Sequence, residues 1–167
     1  MNTIISAFYF IYGLAIGSFL NVIIYRLPLK LPIARGRSMC PQCGTTLKPL
    51  DLVPVFSFIF LKGRCRYCKA PVSFRYPLVE LLTSFLFVMC YIFFGLTIKS
   101  VIMCIFICIL ISAAFIDIDH KYIPDRFSVI IGLLGILSYF VEPGISIVNR
   151  LSGAVLVSGF MLVISML

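Results

Sequence analysis

Long apolar stretches alternate with short polar segments along the chain. About 20 apolar residues cross the ~30 Å hydrocarbon core of a bilayer, where only a helix can satisfy its own backbone hydrogen bonds. The pattern therefore predicts about five transmembrane helices, of which the last three are short for a full crossing. Their positions are residues 3–25, 78–96, 101–116, 127–141 and 151–167.

Composition supports the same class of protein. Hydrophobic residues make up 62% of the 167 residues and charged residues 12%, whereas a soluble domain is about 45–50% apolar and roughly 25% charged. So little polar surface excludes a soluble globule, and so much apolar surface excludes a disordered chain. The sequence predicts an all-α polytopic membrane protein.

One segment, residues 26–75, departs from this pattern. It is rich in proline and glycine, and it holds ten of the 14 Lys and Arg residues but one acidic residue, Asp51, for a net charge of +9. Basic loops are retained in the cytoplasm, so we expect this segment and residues 117–126 to be cytoplasmic. Anionic lipid headgroups are a natural partner for its charge. Within the segment, the apolar run 56–61 is interpreted as a strand or as a stretch lying at the membrane surface.

The chain is thus divided into three parts. Residues 1–25 form the first transmembrane helix, residues 26–75 a small cytoplasmic loop domain, and residues 76–167 a membrane bundle. In the first helix, Gly13 and Gly17 have the spacing that permits close helix packing, and Asn21 needs a polar partner inside the bundle.

The loop domain contains two C-x-x-C pairs, formed by Cys40, Cys43, Cys65 and Cys68. Two such pairs can place four sulfurs in a tetrahedron around Zn²⁺. A structural zinc ion would stabilise a loop that is too small and too polar to fold alone. The alternative is a redox role in which the pairs cycle as disulfides, but a cytoplasmic location disfavours stable disulfides.

Half of the six acidic residues lie between residues 117 and 125. Asp117 directly follows an apolar run, and an ionisable residue at the membrane boundary is a functional candidate. Asp119 and Asp125 are interpreted as solvated loop carboxylates, with Asp125 also able to cap the fourth helix.

Two carboxylates that share a proton can activate water for peptide hydrolysis. Asp117 and Asp119 cannot form such a pair on one helix, because residues i and i+2 do not face each other. Glu80 is on the correct side of the membrane, but its place near a helix start indicates a structural role with Arg75 as its salt-bridge partner. The residues alone therefore provide one candidate catalytic aspartate, Asp117, without a partner.

Four motifs in this order resemble bacterial type IV prepilin peptidase over nearly the whole chain. They are GSFLNVIIYRLP at residues 17–28, the two cysteine pairs, RYPLVELLT at residues 75–83, and Asp117-x-Asp-x-x-x-Ile-Pro-Asp125.

The resemblance implies an aspartic peptidase of the bacterial inner membrane that removes the leader of type IV prepilins and pseudopilins. Asp117 matches the first catalytic aspartate, and the four cysteines match the zinc loop of the bifunctional branch, which also methylates the new N-terminus with S-adenosylmethionine. The family's second catalytic aspartate lies in a Gly-x-Gly-Asp motif that these 167 residues do not contain. We therefore expect either a fragment or a natural truncation, and no peptidase activity from this form alone.

Three rival interpretations stay open. The missing carboxylate favours a non-catalytic module whose zinc loop binds prepilins or other partners. A membrane thiol oxidoreductase would show a reversible disulfide in place of bound zinc and reduced thiols. Nucleic-acid binding ranks last, because the basic loop contains no recognisable module of base-stacking aromatic residues.

Overall fold

A computed structural model describes residues 2–34 and 36–141, together with residues 144, 146, 148, 149, 151 and 152. Its elements are helices with short connections: α1 (Thr3–Arg26), a 3-10 helix (Pro49–Leu52), α2 (Phe56–Phe60), α3 (Arg75–Phe94), α4 (Ile98–His120) and α5 (Asp125–Val141). Within the described residues, β-pairing is limited to two isolated bridges. The strand interpretation of residues 56–61 is therefore wrong, because this stretch forms the short helix α2 between Pro54 and Lys62.

Among the residues that the structure describes, three helices are long and apolar enough to cross a membrane. They are α1 with 24 residues, α3 with 20 and α4 with 23, and their mean hydropathy is 1.9, 2.0 and 2.8. Helix α5 has 17 residues, fewer than the roughly 20 that a full crossing requires. Of the predicted fifth span, only residues 151 and 152 lie among the described residues. The structure thus supports three of the predicted spans.

Local signals define where these helices begin and end. The side chain of Asn2 accepts a hydrogen bond from the first turn of α1, and Thr97 does the same for α4. Gly95 ends α3 with a φ of +65°, which glycine adopts without steric cost. Lys121 ends α4 in the left-handed conformation common just after helices, with a φ of +56°. Helix α4 therefore extends four residues beyond the predicted boundary at residue 116.

The closest helix contact is between α1 and α3. A Cβ atom on Gly13 would lie 2.4 Å from the Cα atom of Ser84, and one on Gly17 would lie 2.7 Å from the Cα atom of Glu80. These separations leave no space for a side chain, so the prediction of close packing at the two glycines is confirmed. The Asn21 amide donates a hydrogen bond of 3.1 Å to the Tyr76 carbonyl on α3, which provides the predicted polar partner.

The ends of α3 and α4 are joined by Arg75. Its guanidinium group forms an ion pair with Asp119, donates a hydrogen bond of 3.0 Å to the Phe115 carbonyl, and lies 5.0 Å from the centre of the Phe115 ring. Two predictions are therefore wrong: Arg75 does not pair with Glu80, and Asp119 is not simply solvated. The joint places the start of α3 and the end of α4, including Asp117, at the same end of the bundle.

Helix α4 packs against α1, α3 and α5. Branched aliphatic side chains and one aromatic ring form the main core at the centre of these contacts. The larger buried members are Leu20, Ile24, Val79, Ile109, Ile111, Ile116 and Phe127.

Candidate functional site

The first cysteine pair forms a tight turn. The Gly44 amide donates to the Cys40 carbonyl at 2.9 Å, and the Cys40 amide donates to the Thr45 carbonyl at 3.0 Å. Gly44 has a φ of +66°, a conformation that glycine adopts without steric cost. This turn directs the thiols of Cys40 and Cys43 to the same side.

The second pair repeats the first at equivalent positions. The Lys69 amide donates to the Cys65 carbonyl at 3.1 Å, and the Cys65 amide donates to the Ala70 carbonyl at 2.8 Å. Lys69, directly after Cys68, has a φ of +61°, as Gly44 has directly after Cys43. Two local sequences of different composition therefore fold into the same cysteine turn.

The two turns bring the predicted metal ligands together. The Sγ atoms of Cys40, Cys43, Cys65 and Cys68 all lie within 4.8 Å of one another, and those of Cys40 and Cys68 are 3.9 Å apart. Zn–S bonds of about 2.3 Å in a tetrahedron require sulfur separations of roughly 3.8 Å. Four thiols at this spacing can hold a metal ion, and the chemistry of the set suits zinc.

The environment of the thiols is uneven. Hydrogen bonds from the side chain and the backbone of Thr45 lower the pKa of Cys43 to about 6, and backbone hydrogen bonds lower the pKa of Cys65. The Ala70 amide also favours ionisation of Cys68, but desolvation and the neighbouring cysteines outweigh it and raise the pKa of Cys68 to about 11. Four thiolates so close together require a cation, and a bound metal ion would supply that charge.

Asp51, the acidic residue of the loop domain, supports the second cysteine turn. Its carboxylate accepts hydrogen bonds from Arg66 Nε at 2.6 Å, the Tyr67 hydroxyl at 3.1 Å and the Lys48 amide at 3.0 Å. Desolvation opposes its charge, but these hydrogen bonds, led by that of Arg66, hold the pKa of Asp51 below its usual range. Sequence reasoning missed this role, because the three donors converge only in the folded loop.

Side-chain hydrogen bonds of Arg26 and Glu80 attach the loop domain to the bundle. The guanidinium group of Arg26, at the end of α1, donates to the carbonyls of Pro32 at 3.0 Å and Gly36 at 3.1 Å. The Val55 amide donates a 2.7 Å hydrogen bond to the Glu80 carboxylate on α3. Val55 has a φ of +60°, unusual for a β-branched residue, so the surrounding contacts hold the chain in this conformation.

A cavity of about 730 Å³ lies between the loop domain and the adjoining turns of α1 and α3. Asn21 and Glu80 line it on the bundle side, and both side chains are buried. Cys40 and Cys65 line it on the loop side. The sequence contained no signal for this cavity, since its walls come from segments that are far apart in the chain.

Asp117 lies apart from the four sulfurs, near the end of α4. The residue is exposed, and its carbonyl accepts the Lys121 amide at 2.8 Å. Asp119, two residues further on, is turned to Arg75. The described residues therefore bring the four cysteines together but do not bring a second carboxylate to Asp117 by hydrogen bonding.

The fold and the site define a helical membrane protein with a four-cysteine loop, able to hold a metal ion, between its first two spans. Residues 11–94, half of the chain, match the family model described as Bacterial Peptidase A24 N-terminal domain. The chain belongs to the prepilin leader peptidase/N-methyltransferase family, which confirms the resemblance.

Three relatives illustrate the match. The chain is 45% identical over 135 residues to a Prepilin leader peptidase/N-methyltransferase of Myxococcus xanthus (strain DK1622), covering 81% of this chain and 40% of the relative. A protein of the same name from Bacillus subtilis (strain 168) is 44% identical, over 70% of this chain and 47% of the relative. A Type 4 prepilin-like proteins leader peptide-processing enzyme of Escherichia coli O78:H11 is 40% identical, over 70% of this chain and 50% of the relative.

The chain thus spans about half the length of the curated relatives that it matches. No solved structure matched it significantly.

Proposed function

We propose that this chain takes part in removing the leader peptide of type IV prepilins or pseudopilins at the cytoplasmic face of the bacterial inner membrane. The observation that carries the proposal is the similarity over 70–81% of the chain to relatives whose names describe prepilin leader processing. Asp117 is exposed at the end of an apolar helix. This position suits a substrate whose apolar helix lies in the membrane and whose leader extends from the membrane into the cytoplasm.

The chemistry requires two carboxylates in different protonation states. The ionised Asp117 takes a proton from water as the water oxygen attacks the scissile carbonyl carbon. A protonated second carboxylate donates its proton to the carbonyl oxygen, which gives a tetrahedral diol. Asp117 then returns its proton to the nitrogen of the mature pilin as the C–N bond breaks, while the second carboxylate takes a proton back from a hydroxyl group and the leader leaves with a new carboxyl group. By resemblance, the second carboxylate comes from a Gly-x-Gly-Asp motif, which these 167 residues do not contain.

Two cofactors complete the proposal. Zinc on Cys40, Cys43, Cys65 and Cys68 would be structural, because four sulfurs leave no open coordination position. S-adenosylmethionine would supply a methyl group for the new N-terminal amine, as the N-methyltransferase names of the relatives indicate. The alternative is a non-catalytic module that binds prepilins without cleaving them.

The test uses bacteria that lack their own prepilin peptidase. The 167-residue chain is produced with a prepilin, either alone or together with the C-terminal half of the Myxococcus xanthus relative, and leader removal is measured by mass spectrometry of the pilin. We expect no cleavage by the chain alone, and cleavage when the second half supplies the missing carboxylate. Asp117→Asn should then reduce cleavage by about three orders of magnitude.

Asp119→Asn is the matched control, because it makes the same chemical change two residues away and should alter cleavage at most a few-fold. Cleavage that persists in Asp117→Asn would remove this residue from the mechanism. Prepilin captured but never cleaved by the combined halves would favour the non-catalytic module.

A further inference from the structure

The cavity between the loop domain and the bundle has the dimensions of a ligand site. Its volume of about 730 Å³ is within the roughly 300–1,000 Å³ typical of small-molecule pockets. Ser18, Asn21 and Glu80 form part of its bundle wall, while the buried Cys40 and Cys65 belong to its loop wall. The cavity therefore lies directly beside the four-cysteine cluster.

Glu80 is the unusual group in this wall. It is 7% exposed and takes part in no ion pair with the residues that the structure describes. Its hydrogen-bond donors are the Val55 amide, at 2.7 Å, and the Ser18 hydroxyl. A carboxylate has about four acceptor positions, so these two donors leave capacity for a cationic ligand, and a buried carboxylate without a cation is costly.

The same cavity also presents positive charge. Arg37 and Arg64 line it, and neither forms an ion pair with a described residue. Two other guanidinium groups of the wall are engaged in the fold, that of Arg26 with loop carbonyls and that of Arg66 with Asp51. Arg37 and Arg64 are thus the groups available for an anionic part of a ligand.

Aromatic side chains complete the lining, namely those of Tyr25, Phe58 and Tyr76. The wall as a whole suits a ligand with a cation, a carboxylate and a flat aromatic ring. S-adenosylmethionine carries all three, as a sulfonium and an ammonium, an α-carboxylate and a purine.

We propose that this cavity binds S-adenosylmethionine, with Glu80 facing its positive charge and Arg64 its carboxylate. The proposal rests on the methylation included in the proposed function and gives it a location. It places the methyl donor next to the four-cysteine cluster, at the end of the bundle that also contains Asp117.

The test is direct binding to the purified, zinc-loaded 167-residue chain in detergent micelles, measured by equilibrium dialysis. The probes are S-adenosylmethionine and 5′-methylthioadenosine, which keeps the purine and the sulfur but has no charge. We expect Glu80→Gln to weaken S-adenosylmethionine binding tenfold or more, and to change methylthioadenosine binding less than twofold. Zinc content reports whether each variant is folded.

Arg64→Gln provides a second variant at an exposed position, and it should weaken only the charged ligand. Asp125→Asn is the matched carboxylate-to-amide control outside the cavity. Unchanged S-adenosylmethionine binding in both Glu80→Gln and Arg64→Gln would overturn the proposal, as would equal weakening of both ligands. Leader cleavage is measured without the methyl donor, so a failure here is distinct from a failure of the proposed function.

Discussion

The loop domain and the helix pair α1–α3 are built on opposite principles. Among the described residues from 27 to 74, only Cys40 and Cys65 are buried, and both belong to the four-cysteine cluster. In α3, by contrast, Val79, Thr83 and Ser84 are 0% exposed, and Thr83 and Ser84 lie against the two glycines of α1. The loop is organised around four sulfurs and a few polar contacts, whereas the helix pair is organised by backbones in contact.

This difference follows from the two environments. A polar segment of about 50 residues buries too little apolar surface to fold by itself, and the proposed structural zinc would supply the missing free energy. Helices in lipid gain nothing from hiding apolar surface from water, so small residues and close van der Waals contact hold them together. The loop domain and the helix pair should therefore unfold independently of each other.

Loss of the metal gives the largest expected effect. Chelation, or Cys65→Ser, should unfold the loop domain while α1, α3 and α4 persist, because structural zinc contributes about 10–16 kcal/mol in small zinc domains. Limited proteolysis should cleave within residues 27–74, with little change in helical circular dichroism. Cys108→Ser, a cysteine outside the cluster, is the control and should retain zinc. A loop that resists protease without metal would contradict the view that the loop domain depends on its metal ion.

Crowding the contact between α1 and α3 should produce a smaller effect, which lowers the stability of the helix bundle and leaves the loop domain intact. Gly13→Ala and Gly17→Ala place a Cβ atom 2.4 Å and 2.7 Å from the backbone of α3, so the helices must separate, at a cost of about 1–3 kcal/mol. Thermal unfolding in detergent measures this loss, while zinc content should stay normal. Gly132→Ala, with nothing within 4 Å of its added Cβ, should be neutral or slightly stabilising. Equal losses at all three glycines would refute close packing.

Within the loop, the support of Asp51 should matter less than the metal. Asp51→Asn removes the charge that Arg66 and Tyr67 contact, and hydrogen bonds to charged groups stabilise more than neutral ones. We expect the loop to be digested several-fold faster at neutral pH, with zinc still bound. Asp125→Asn makes the same change outside the loop and should leave the digestion rate as it is.

The joint between α3 and α4 gives the smallest expected effect. The side chains of Arg75 and Asp119 are 29% and 34% exposed, and a partly exposed ion pair contributes up to about 1 kcal/mol. Asp119→Asn should lower helix-bundle stability by no more than that. Arg75→Gln should cost more, since it also removes the hydrogen bond to Phe115. A double-mutant cycle isolates the ion pair, and zero coupling would show that Arg75 acts through Phe115 alone.

Sequence patterns determined much of this protein. The apolar runs predicted α1, α3 and α4, because a chain that crosses lipid must satisfy its own backbone hydrogen bonds as a helix does. The spacing of Gly13 and Gly17 predicted close helix contact. The two C-x-x-C pairs predicted the sulfur cluster, since each pair sets its own turn locally. Motif order predicted the family.

Other features depended on contacts between segments distant in the chain. The charge pattern suggested Glu80 for Arg75, but helix packing turns Arg75 to Asp119 and leaves Glu80 buried beneath the loop. The cavity beside the four-cysteine cluster arises in the same way, where the loop lies over α1 and α3. Local sequence determines which groups can interact, but only the tertiary arrangement brings particular ones within hydrogen-bonding distance.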